Sequence, residues 1–200
     1  MTKRTGECAG PKRQSIGARR NPETEAAILT AAADILREKG VRGLSMEAVA
    51  RRARAGKATL YKWWPTRGAL LVAVYERLKG EHPHADKGHL LDTITDFYRF
   101  VFGHWQTPEG QVFALIIAEA QSNADVAEAL EGYRRERLEA LTEVVSWSVE
   151  RGEIRPGTES RALAETIMAA AWMRLLTGRL DTDPAALARD VLSGWLVEKQ

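Results

Sequence analysis

The sequence predicts an all-α chain of about nine helices. Apolar residues recur at three-to-four spacing in segment after segment, and N-caps and terminal glycines punctuate those segments. No stretch shows the period-two alternation of a half-buried strand. At 200 residues and 44% apolar, the chain has ample material for a buried core. Three regions are expected: an arm over 1–20, a first helical unit over 21–80 and a second over 81–200.

Residues 1–20 hold glycine, proline, serine and six basic residues (Lys3, Arg4, Lys12, Arg13, Arg19, Arg20) without apolar periodicity, the composition of a flexible arm. Asn21-Pro22-Glu23 starts the first helix, with an N-cap acceptor, proline at N1 and acid in the first turn. Ile28, Ala32, Ile35 and Leu36 form its apolar face, and Lys39-Gly40 closes it. Ser45 caps a second helix with Val49 and Ala50 inward and Leu44 just ahead. The third is short, from about Gly56 to Trp63, anchored by Leu60. Thr66 caps the fourth, whose stripe of Leu70, Val74 and Leu78 ends at Gly80. A connector over 81–89 leads to the fifth helix, marked by Leu90, Ile94, Phe97, Tyr98, Val101, Phe102 and Trp105. Thr107-Pro108-Glu109 starts the sixth, with Phe113, Ile116, Ile117 and Ala120. The seventh runs from about Asp125 to Arg151 on Leu130, Leu138, Leu141 and Val145, and Gly152 ends it. Thr158 opens the eighth, to about Thr177; Asp183-Pro184 opens the ninth, with Leu187, Val191, Leu192 and Trp195.

Composition narrows the function classes. No apolar run approaches the ~20 residues of a membrane span, and the N-terminus lacks the apolar stretch of a signal peptide. The single cysteine, Cys8, excludes an internal disulfide framework and fits a reducing cytosol, so a cytoplasmic protein is expected. The net charge of +2 conceals an asymmetry. Residues 1–80 carry 17 basic and 7 acidic residues; residues 81–200 carry 12 and 20. One half is suited to a polyanion and the other is not.

The basic half contains the most informative stretch, residues 45–70, SMEAVARRARAGKATLYKWWPTRGAL. It reads as two short helices joined by a tight turn, with basic and hydroxyl residues on the second, the layout of a helix-turn-helix that enters the DNA major groove. Lys57, Ala58, Thr59 and Lys62 lie toward the DNA side while Leu60 turns inward. The lysines can meet phosphate or guanine O6/N7, and the Ala58 and Thr59 methyls can touch thymine methyls.

The run from Ala53 to Arg67, with Gly56-Lys57-Ala58-Thr59-Leu60-Tyr61 followed by Trp63-Trp64-Pro65, resembles the N-terminal domain of TetR-family transcriptional repressors. The close match covers roughly 21–75. Beyond it the likeness lies in helix count and lengths and in the Glu150–Pro156 turn. The resemblance implies that Tyr61 bonds a phosphate and that Arg67 does so from the start of the fourth helix, while Ser45 caps its helix and also touches a phosphate. Tyr61, Trp63 and Arg67 are therefore assigned to positioning, and Lys57, Ala58, Thr59 and Lys62 to reading. Two residues depart from the family pattern. Arg54 replaces the turn glycine, at a cost of ~1 kcal/mol for a left-handed non-glycine residue, which a phosphate contact can offset. Gly56 replaces the frequent capping serine.

For the second unit the resemblance implies small-molecule binding and pairing of two subunits. Phe97, Phe100, Trp105, Phe113, Ile117, Trp147, Trp172 and Met173 lie on helices expected to converge, and their rings suit a flat or greasy effector. Each one taken alone fits an ordinary core better than a pocket. Glu119, Glu143 and Arg174 are candidate polar contacts; acids in the cavity would select a cationic ligand. Helices eight and nine are alanine-rich, and Ala170, Leu175, Leu187, Val191 and Trp195 are the candidate dimer surface, with intrachain packing as the competing use.

The expected function is a homodimeric regulator on a pseudo-palindromic double-stranded operator, released by a small molecule, with no cofactor, no metal and no membrane partner. Three alternatives stand beside it. His82, His84, Asp86 and His89 in the connector are a candidate metal cluster, although a loop of this composition is usually solvated. A non-specific nucleic-acid binder would also be basic and helical. An enzyme is disfavoured, because no phosphate loop, nucleophile elbow or metalloprotease helix is present.

Overall fold

The computed structural model describes residues 21–80 and 86–197; the basic arm with Cys8, and His82 and His84 of the connector, lie outside the described residues. Among the described residues there are nine helices: α1 (Pro22–Gly43), α2 (Met46–Ala53), α3 (Lys57–Trp63), α4 (Arg67–Lys79), α5 (Leu90–Trp105), α6 (Pro108–Ala120), α7 (Ala124–Glu150), α8 (Ser160–Leu176) and α9 (Pro184–Leu192). The one extended pairing among them is an antiparallel bridge between Ile154 and Leu196.

Local chemistry sets most helix starts. Asn21, Ser45, Thr66, Thr107, Asn123 and Asp183 each accept a backbone N–H of the first turn, and Pro22, Pro108 and Pro184 begin their helices. Three boundaries differ from expectation. α1 continues past Gly40 across a kink at φ 67°, because glycine enters the left-handed region freely and the helix resumes beyond it. The cap of α8 is Glu159, not Thr158: its carboxylate accepts from Arg161 and Ala162, while the Thr158 hydroxyl donates to the Arg155 carbonyl. Trp195 lies just beyond α9, and its carbonyl accepts from the Arg155 N–H.

α1, α2 and α3 pack in chain order, and α4 is shared. One side of α4 lies on α1; the other meets α6 and α7. α5 lies on α6, α8 and α9, and α7 packs along α8. The buried residues form one continuous cluster from Ile28 to Leu192. Each fully buried Leu or Ile in it contributes roughly 1.5–3 kcal/mol. At two crossings only glycine fits. A Cβ on Gly68 of α4 would lie 2.4 Å from the Asp125 carbonyl oxygen, and one on Gly110 of α6 would lie 2.0 Å from that of His104. The first brings the start of α4 against the start of α7; the second packs α6 onto the end of α5.

Candidate DNA interface and ligand pocket

The helix-turn-helix is built from α2 and α3. Arg54 closes α2 in the left-handed region (φ 52°, ψ 34°), the one described non-glycine residue with positive φ. This is the conformation that the tight turn demands, and the exposed guanidinium is free of the core. Gly56 precedes α3 and offers no side-chain cap. Leu60 (0% exposed) and Trp64 (4%) pin α3 to the core, with Trp63 edge-on to Trp64 at 5.9 Å. The pinning turns Lys57, Ala58, Tyr61 and Lys62 outward together, as helical spacing requires. Thr59 and Trp63 are half-buried at its edges, and Ser45 is exposed beside it with its Oγ accepting the Ala48 N–H at 3.2 Å. The basic surface thus gathers most of the expected reading residues.

One residue of this surface was missed. Glu47, in the first turn of α2, stands between the helices, 3.7 Å from Lys57 Nζ and 3.5 Å from the Tyr61 hydroxyl, which donates to it. Its sequence signal is only that of an acid at a helix N-terminus. Arg52, a further cation of α2, is engaged elsewhere. It donates to both Glu38 carboxylate oxygens at 2.7 and 2.5 Å, a bond that raises the guanidinium and lowers the carboxyl.

Arg67 corrects the sequence expectation. It does not face the surface of α3 but turns inward, where Nε donates to the Leu44 carbonyl at 2.7 Å and the terminal nitrogens donate to the Val41 carbonyl and the Glu119 carboxylate. Both side chains are about four-fifths buried. The Val41 and Leu44 carbonyls after the Gly40 kink attract the guanidinium, and Glu119 neutralises it. Arg67 is therefore a bridge from the α1–α2 corner through α4 to α6, and Glu119 is its partner rather than a pocket acid.

A cavity lies among α4, α5, α6, α7 and α8. Phe97, Phe100, Trp105, Phe113 and Trp172, all expected, line it together with Val101, Leu141 and Met168. Phe113 is its hub, stacked on Tyr75 at 4.4 Å and on Trp105 at 5.9 Å, and edge-on to Trp172 and Tyr133 at 5.5 Å each. Trp105 Nε1 donates to the Tyr75 hydroxyl at 2.9 Å, fixing the floor. The open space is about 40 Å³, room for a few water molecules and far below the roughly 300–1,000 Å³ of a drug-sized site. Occupation by a larger molecule requires the rings to part.

The polar lining was not foreseen. Lys79, Tyr133 and Arg137 complete the wall. Lys79 Nζ donates to the Tyr133 hydroxyl at 2.9 Å and lies 5.0 Å from that ring's centroid. Burial, reinforced by the like charge of Arg137, pulls Lys79 down to about 8; burial pushes Tyr133 up to about 12. A lysine in the last turn of a helix gave no sign of a buried head.

Several expected pocket and interface residues are elsewhere. Ile117 is buried but does not line the cavity. Trp147 (43% exposed) and Met173 (60%) face outward, because they fall on the faces of α7 and α8 opposite the core. Leu175 and Leu187, expected at a dimer surface, are buried within the chain, whereas Ala170, Val191 and Trp195 are half-buried. The outward stripe of α8 is instead Ala162, Thr166, Ala169, Met173 and Leu176. Of the connector's candidate ligands, Asp86 accepts from Arg151 at 2.5 Å, a bond that helps lower its carboxyl, and among the described residues no cluster of three or more His, Cys, Asp or Glu is disposed to hold a metal. No described helix is long and apolar enough to cross a membrane.

Comparison with known proteins matches both parts. Residues 28–74 fit the family described as bacterial regulatory proteins, tetR family, and residues 84–192 fit the tetracyclin repressor-like C-terminal domain. An uncharacterised HTH-type transcriptional regulator of Bacillus subtilis, YdeS, is 29% identical over 167 residues, covering 80% of this chain and 82% of the relative. The HTH-type transcriptional regulator AqdR of Rhodococcus erythropolis is 26% identical over 94% of this chain and 88% of its own length. The crystal structure of the TetR family transcription regulator SCO0332 aligns with a TM-score of 0.66 at 31% identity, over 86% of this chain and 98% of that one.

Proposed function

Because the chain belongs to the TetR family of bacterial regulatory proteins, a family of DNA-binding transcription factors rather than enzymes, we propose that it is a homodimeric cytoplasmic repressor released by a small molecule. In this reading α1–α3 form the reading head, α5–α9 form the sensing and pairing body, and α4 joins them. The observation that carries it is the pinning of α3 by Leu60 and Trp64, which leaves Lys57, Ala58, Tyr61 and Lys62 on one exposed face. A short helix so presented fits one major groove, and two copies fit successive half-sites of an inverted repeat.

The stripe on α8 that ends in Met173 and Leu176 supports pairing, since small residues followed by exposed apolar ones let two helices approach closely. The route from pocket to head is short. α6 carries Phe113 in the cavity and Glu119 in the bridge, and α4 carries Lys79 in the cavity and Arg67 in the bridge. An effector that parts the rings favours the state in which the two heads no longer match the groove spacing, by its differential affinity for that state.

Selection of bound duplexes from random DNA tests the reading. The expected outcome is an inverted repeat, with the base preference shifted in Lys62→Ala. A protein that sediments as a lone subunit and retains no duplex at modest ionic strength would refute it.

A further inference from the structure

We propose that the effector is an organic anion, a flat apolar body held between the rings of the cavity with a carboxylate-type group drawn to Arg137 and Lys79. The inference rests on the cavity being the effector site. The walls are hydrocarbon and aromatic except for Lys79, Arg137 and the Tyr133 hydroxyl, so two cations and no acid line the space. Arg137 is only partly satisfied. Its terminal nitrogen reaches Glu76 at 3.6 Å and Glu136 at 3.9 Å on the outer side, its Cζ lies 5.5 Å from the Tyr133 ring centroid, and its buried Nε–H has no hydrogen-bond partner. A buried donor left unmade is costly, and a ligand oxygen supplies the missing acceptor.

The sign of the charge follows from the lining: Lys79 and Arg137 border the space, while Glu76 meets Arg137 from outside it and its carboxyl is raised by burial. Burial first, and the like charge of Arg137 second, depress the Lys79 ammonium, and an arriving anion would stabilise its charged form. A cationic effector meets two like charges, and a neutral acceptor can meet the Arg137 donor but lacks the charge that strengthens the bond and offsets the two cations. The acids that could have selected a cation are elsewhere: Glu119 is held by Arg67, and Glu143 is exposed. Lys79 and Glu76 belong to α4, so an anion that draws Lys79 acts directly on the helix that begins at the Arg67 bridge.

The test is calorimetric titration of the full chain with three probes of one shape: naphthoate, naphthylmethanol and naphthylmethylammonium. Naphthoate is expected to bind at least about tenfold more tightly than the alcohol, and the ammonium more weakly than either. Arg137→Gln and Lys79→Met each remove about tenfold from naphthoate while changing the alcohol by less than about threefold. Glu76→Gln strengthens naphthoate, a gain that damaged folding cannot mimic. Equal or tighter binding of the alcohol or ammonium, an anion preference that survives in the double variant, or no binding by all three overturns the proposal. Anisotropy of the selected duplex separates it from the functional reading. Naphthoate that binds with the stated preference yet leaves the duplex bound sinks the switch and keeps the ligand class. Release of the duplex by the alcohol or ammonium sinks the ligand class and keeps the switch.

Discussion

Glu47 meets two donors of the proposed reading surface with the same chemistry that a phosphate would use. Its carboxylate lies near both Lys57 and the Tyr61 hydroxyl, and a DNA backbone approaching those donors must displace it. Glu47→Gln removes the competing charge, and duplexes of every sequence should then bind about threefold more tightly, with the base preference unchanged. Anisotropy titrations on operator and scrambled duplexes check both halves of that expectation. Lys79 gives a pH signature. Its folded-state value of about 8 lies below the ordinary lysine value near 10.4. Between these values the unfolded chain holds a proton that the folded chain has shed, so this group's contribution to stability rises with pH through that window. Below it both states are charged, and the buried ammonium is a cost. Arg137, Glu76, His104 and the Tyr75 and Tyr133 hydroxyls surround it; Glu76 favours its charge, Arg137 opposes it, and Tyr133 titrates above the window. Lys79→Met should therefore stabilise the fold at neutral pH by about 1 kcal/mol, discounted for partial exposure, and the gain should shrink towards pH ~10. Denaturant unfolding across pH measures it.

At the scale of elements, caps made the helix starts legible, because an N-cap bond spans only two or three residues and needs no tertiary partner. Glu159 escaped because a glutamate that caps its own helix resembles any surface acid. The crossings were illegible for the opposite reason. Gly68 looks like an ordinary weak point in a helix, yet the backbone of α7 occupies the place of its Cβ. Gly68→Ala should cost about 1–3 kcal/mol, since the obstruction is main chain and cannot rotate away. The paired control is Gly132→Ala in the middle of α7, where a Cβ meets nothing within 4 Å; it should stabilise by about 0.5–1 kcal/mol. Thermal unfolding distinguishes the two, and equal shifts would mean that the α4–α7 crossing is looser than described.

In the whole molecule the Arg67–Glu119 bridge is the more buried of two polar joints between the N-terminal helices and α6, the other being the exposed Arg37–Glu109 pair. Glu119→Gln removes the ion pair and leaves the two carbonyl bonds of Arg67 intact. Operator affinity should stay within about threefold, whereas the effector's weakening of that affinity should fall by about fivefold. Duplex titrations with and without effector measure the coupling, and an unchanged ratio would exclude the Arg67–Glu119 pair as its carrier. The helices, their order and the outward face of α3 could be derived from the amino-acid order, because spacing, caps and the turn at Arg54 are local constraints. The same periodicity marked Trp147, Met173, Leu175 and Leu187 as apolar without saying what each would face. The ends of long side chains were further out of reach. The heads of Arg67, Lys79 and Arg137 lie several bonds from their backbones, and only packing of α4 against α1, α6 and α7 decided that all three turn inward. Tertiary structure therefore set which charges line the cavity and which pair joins α4 to α6, since both depend on which distant groups share a low-dielectric space.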